Sequence, residues 1–117
     1  MRAELLAGAV IATALAACAA QPAPGPASAP IGHGGSAAHG LAYAQAACSS
    51  CHAVGAGELV SPHPLAPPFQ RVADTPGMTG LALHVWLRSP HQNMPQIVVG
   101  PEQVEHLAAY LGSIESR

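Results

Sequence analysis

Lysine is absent from the 117 residues, and only 9% of the chain is charged, with four arginines against six acidic side chains for a net charge of −2. Such a chain has no basic surface to offer a phosphate backbone, which excludes nucleic acid as an expected partner. Large rings are equally scarce: Tyr43, Phe69, Trp86 and Tyr110 are all there are. The hydrophobic half of the sequence is carried by Ala and short aliphatic side chains. A small domain already struggles to bury enough surface, and without big side chains it needs something else in its middle. Twelve Gly and twelve Pro, with so little charge, exclude a coiled coil. One domain is the most that this length supports.

What is present first is a targeting segment. Met1 and Arg2 precede an apolar stretch from Leu5 to Ala17, the length of a signal-peptide core and too short to span a bilayer comfortably. It ends in Leu15-Ala16-Ala17-Cys18, which resembles the lipobox of bacterial lipoproteins. There Cys18 would carry the lipid, and two acyl chains suffice for stable anchoring. The alternative is ordinary cleavage after an A-x-A pattern, which discards Cys18. Either way residues 1–17 are predicted to be a signal peptide on an exported, periplasmic protein, with Cys18 a membrane anchor in the lipoprotein case. Residues 18–38 are mostly Ala, Pro, Gly and Ser, without apolar period, and read as a semi-extended tether. The folded domain is then expected over 39–117.

Within that domain the apolar periods are helical. Gly40, Ala44, Ala47, Cys48 and Cys51 share one helical face, which predicts a first helix from about Ala38 into the Cys pair. Thr79 to Arg88 has no strand partner and is read as a short middle helix. Pro101 to about Glu115 is the strongest helix: Pro101 suits a first position, Glu102 and Glu105 complement the dipole, and Val104, Leu107, Ala108, Leu111 and Ile114 form its stripe. Residues 53–78 hold five prolines and are expected to be mostly loop. The fold class is all-α.

The chemistry lies in Cys48-Ser49-Ser50-Cys51-His52. Two Cys three apart on a helical turn project from nearly one side, and C-x-x-C-H is the signature of c-type haem attachment, with two thioethers to the haem and the imidazole on its iron. A thioredoxin-like dithiol would need a βαβ setting that the sequence lacks. A zinc site would need two further ligands; His63 and His84 could be recruited, but no second Cys pair exists. Export, the ring-poor composition and a downstream Met in a Pro-bounded loop all favour haem.

On these residues the chain resembles the small monohaem cytochromes c over about 39–117. Gly40 and Tyr43 stand where the family's first helix has them, and Ala66-Pro67-Pro68-Phe69 is similar to its Pro-containing turn. Asn93-Met94-Pro95 resembles its distal-ligand loop, and Leu107-Ala108-Ala109-Tyr110-Leu111 its last helix. The resemblance implies first and last helices crossing closely with Gly40 giving clearance near Tyr110, a short middle helix, and long loops wrapped round one covalent haem c. It implies that the Pro67 carbonyl accepts a hydrogen bond from the His52 ring, a bond that fixes the tautomer and leaves the other nitrogen for iron. The Lys ring that surrounds the haem edge in mitochondrial members is missing here, so strong electrostatic docking is not expected.

The sixth ligand decides the function. Met94, between Pro90 and Gly100, is the expected one, ahead of Met78 and of the histidines, of which His91 is first to be checked. His/Met ligation makes an electron carrier rather than an enzyme, passing electrons between redox partner proteins as a monomer. A labile sixth position would instead make a haem-based ligand-binding or sensing domain. Trp86 is expected against the haem or its propionates.

Overall fold

The computed structural model describes residues 34–117. The expected signal segment 1–17, Cys18 and the tether as far as residue 33 lie outside the described residues. Among the described residues there are four helices and no strand: α1 (Ala37–Ala47), α2 (Phe69–Ala73), α3 (Gly80–Arg88) and α4 (Pro101–Ile114). None is long and apolar enough to cross a membrane.

Each helix starts where local chemistry allows. The Ser36 side chain accepts from His39 N–H and caps the Ala-rich α1. Thr79 caps α3 by accepting from Ala82 N–H at 3.1 Å. Gly100 precedes α4, with Pro101 supplying a fixed φ and Glu102 meeting the dipole. α2 was not legible in its proline-rich surroundings. Five residues form too little helix to persist alone, and this one is held by packing of Phe69 and Ala73 and by Phe69 N–H donating to the Ala53 carbonyl at 2.9 Å.

Two sequence boundaries shift. α1 stops at Ala47, so the Cys pair lies in the turn after the helix rather than on it. Residues 35–38, assigned to the tether, belong to the folded body. Ser36 N–H donates to His106 Nδ1 at 2.9 Å, and Gly35 lies directly against the Glu105 carbonyl.

The architecture rests on α1 crossing α4. Gly40 is buried in that crossing, and a Cβ there would fall inside the His106 carbonyl and against Tyr110 Cβ. The clearance expected of Gly40 near Tyr110 is thus present. α4 is the central element. Val104, Leu107, Ala108, Tyr110 and Leu111 are all buried, meeting Ala44 of α1, Phe69 and Ala73 of α2 and Leu83 of α3 in one core. Gln70 is the buried polar side chain of that core. It accepts from Gly57 N–H and donates to the Ile114 carbonyl and to Asp74, tying the 50s loop to the end of α4. The Asp74 carboxylate also accepts from Ser116, and these bonds hold its carboxyl below the usual carboxylate range.

Tyr110 donates its hydroxyl to the Val54 carbonyl, so α4 clamps the segment two residues beyond His52. Burial pushes the Tyr110 phenol up, and the Glu58 carboxylate adds to the shift, so the hydroxyl keeps its proton and stays a donor. Two outcomes follow. Gly40→Ala forces the helices apart and should lower unfolding free energy by about 1–3 kcal/mol, despite the better helix propensity of Ala. Tyr110→Phe leaves a carbonyl unpaired and should cost about 1–3 kcal/mol. Denaturant unfolding of the full chain measures both.

Candidate cofactor site

After α1 the chain does not uncoil at once. Cys51 and His52 N–H groups both bond the Cys48 carbonyl, at 3.1 and 2.9 Å, and Ser49 Oγ bonds back to the Gln45 carbonyl. The turn so formed turns Cys48, Cys51 and His52 toward one cavity of about 320 Å³. Its walls are mostly apolar: Phe69 and Val72 from α2, Leu83 and Leu87 from α3, Ile97 and Val99 from the next loop, Leu107 and Leu111 from α4.

His52 is fixed from two directions. Its Nδ1 lies 2.7 Å from the Pro67 carbonyl oxygen. A carbonyl only accepts, so Nδ1 is the donor, and Nε2 of the neutral ring is left bare. Phe69 packs edge-on to the ring, with centroids 5.6 Å apart. Pro67 itself lines the cavity.

Met94 also lines the cavity, carried by the loop between α3 and α4. That loop turns sharply at Asn93, whose φ of 67° lies in the left-handed region that Asn tolerates. His91, three residues before Met94, brings its Nε2 within 2.9 Å of Met94 Sδ. Trp86 lines the same cavity and stacks on His91, with ring centroids 4.9 Å apart and planes 29° apart, while remaining 56% exposed. Met78 is packed against the core instead and does not line the cavity.

The remaining histidines separate clearly. His63 lines the cavity, and its backbone N–H bonds the Cys51 carbonyl. His106 belongs to the α1–α4 crossing, receiving Ser36 N–H and meeting the His39 ring edge-on. His84 is half-buried on α3 and is not part of the cavity wall. Spacing puts His91 near Met94, but neither its direct contact with the sulfur nor the role of His63 as wall could be read from it. Both depend on how the two proline-rich loops close over the helices.

The competing chemistries do not fit. Burial pushes the Cys48 thiol up, opposite to the lowered value a reactive dithiol needs. Among the described residues no group of three or more His, Cys, Asp or Glu side chains is placed to hold a metal ion, which leaves zinc without a ligand set. An apolar cavity with two thiols, one bare imidazole nitrogen and one thioether on its wall fits a large, flat, apolar, iron-bearing group.

Comparison with known proteins agrees with that chemistry. Cytochrome c-552 of Bradyrhizobium diazoefficiens is 35% identical to the chain over 78 residues, 67% of this chain and 74% of the relative. No family model and no solved structure matches the chain. With that identity, the C-x-x-C-H turn and a helical body free of strands among the described residues, the chain belongs to the cytochromes c, an electron carrier rather than an enzyme, whose cofactor is covalently bound haem c.

Proposed function

We propose that this is a single-haem carrier with His/Met axial ligation, in which Cys48 and Cys51 make the thioethers, and His52 Nε2 and Met94 Sδ hold the iron. The observation that carries this reading is that Met94 and the Cys48–His52 turn line one cavity, although Met94 lies 42 positions after His52. When bound, the haem supplies one-electron chemistry, moving between Fe(III) and Fe(II).

The chain's own residues do the rest. Pro67 keeps the Nδ1 proton of His52 in place, which holds the ring orientation and makes Nε2 the more basic donor. Ligation by the Met94 thioether together with the His52 imidazole would raise the reduction potential. The apolar wall excludes water from the site. Leu65 lines the cavity yet is 64% exposed, and Leu59 and Val60 beside it are exposed as well. These side chains support a small, transient, largely apolar contact with redox partner proteins, consistent with the absence of lysine.

The family sets the carrier outside the cytoplasm, in the periplasm for a bacterial protein. Within that setting the proposal is a lipoprotein. Cys18 bears the lipid, and the Ala/Pro/Gly-rich segment after it lets a monomeric domain reach between a membrane donor and an acceptor. Its reach is a few tens of Å, on the order of a flexible coil of that length.

Two experiments check these assignments. The reduced holoprotein should give a low-spin visible spectrum indifferent to carbon monoxide. Met94→Ala should abolish the thioether signature and lower the potential by a sizeable part of the roughly 0.8 V that axial ligands span. An unchanged spectrum and potential removes Met94 from the site, and a wild-type spectrum that shifts under the gas favours a ligand-binding or sensing domain. Separately, Cys18→Ser should move the protein from membrane to soluble fractions, and retention on the membrane refutes the anchor.

A further inference from the structure

We infer that His91 is a second, reserve distal ligand, able to take the iron through Nε2 when Met94 leaves it. This rests on the reading of Met94 as the sixth ligand and goes beyond it.

The argument begins with the proton on the ring. His91 Nδ1 lies 2.9 Å from the Ser89 carbonyl oxygen at the end of α3. The carbonyl can only accept, so Nδ1 carries the proton, and the neutral ring presents a bare Nε2 lone pair. This is the arrangement His52 has with Pro67: a backbone carbonyl on Nδ1, and Nε2 left as a metal donor. The second observation is where that lone pair lies. Nε2 is 2.9 Å from Met94 Sδ, and both residues line the cavity that Cys48, Cys51 and His52 share. The two donor atoms thus lie side by side on one wall of the cavity.

The third observation is that the ring is held. Trp86 stacks on it at 4.9 Å, and the Ser89 bond fixes its rotation, so the imidazole is aimed without a further ordering cost. The two donors are joined by a short turn through Asn93 in left-handed conformation, which keeps them adjacent. Replacing one by the other at a single coordination position therefore needs a shift comparable to the 2.9 Å between them.

The exchange balances simply. An Fe–S bond breaks and an Fe–N bond forms. No electron changes hands. No proton leaves, because Nε2 is already bare and Nδ1 keeps its proton on the Ser89 oxygen. Two imidazoles lower the potential relative to imidazole and thioether, so the exchange would give one carrier two electron-transfer states.

The test uses the full-length holoprotein as wild type, Met94→Ala, His91→Phe and the double variant; Phe keeps a ring against Trp86 but has no donor. In Met94→Ala the ferric iron should stay low-spin with a two-imidazole electron paramagnetic resonance signature. Its ferrous form should bind carbon monoxide at least about tenfold more slowly than the double variant, a barrier about 1.4 kcal/mol higher. A Met94→Ala protein as open to the gas as the double variant overturns the proposal while leaving Met94 as the normal ligand. Identical spectra for wild type and Met94→Ala instead remove Met94 from the site. His91→Phe then decides alone: an opened iron keeps His91 as a ligand, and an unchanged one removes it. Should Met94→Ala fail to acquire haem, mild denaturant applied to the wild type serves instead. Loss of the thioether signature without a gain of high-spin iron supports the exchange. The same high-spin gain in wild type and His91→Phe refutes it.

Discussion

The crossing of α1 over α4 at Gly40 is the constraint from which the remaining geometry follows. With no side chain at that position, the backbone of α1 meets the His106 carbonyl and the base of Tyr110 directly. Close approach there sets the direction in which α1 ends, and hence where the turn of Cys48, Cys51 and His52 points. The same helix α4 reaches past the crossing to hold Val54 through the Tyr110 hydroxyl and to wall the cavity with Leu107 and Leu111. One contact between backbones thus positions the attachment turn, its downstream segment and the floor of the site together.

The second organising fact is the nature of the core. Its largest side chains with negligible exposure are Leu111 and Val104, and the aromatic contribution is limited to Phe69 and Tyr110. Small residues pack the helices closely but fill little volume, and apolar side chains of α2, α3 and α4 that meet in the core also wall the cavity. Covalent haem completes such a core in the family to which the chain belongs. Composition, packing and cofactor chemistry are here one argument: few rings in the sequence, an apolar cavity in the fold, a large planar group to occupy it.

Around that cavity the polar contacts serve to aim nitrogen atoms. Backbone carbonyls of Pro67 and Ser89 each lie against an Nδ1; His52 thereby keeps its Nε2 bare, while His91 Nε2 meets Met94 Sδ. Carbonyls at rigid positions, one between two prolines' rings and one at a helix end, make durable acceptors, since neither segment has a competing use for that oxygen in a continuing helix. The two loops therefore contribute orientation as well as cover.

Much of this was legible in the residues. Pro101, the acidic first turn and the apolar stripe determined α4. The missing strand partner determined α3 as helix, and Cys48-x-x-Cys51-His52 announced its chemistry by spacing alone. These features are local, and local chemistry needs no knowledge of the fold. Three things were not legible. α2 forms because Phe69 and Ala73 are packed and tied to Ala53, not because five residues prefer helix. Residues 35–38 look like tether by composition but are captured by α4. The direct contact of His91 with the Met94 sulfur, and the place of His63 on the cavity wall, depend on how proline-rich loops close over helices distant in sequence. The sequence by itself determined which groups could act and where helices begin; only the tertiary structure decided which of those groups share a cavity, because that depends on contacts between segments that no periodicity encodes.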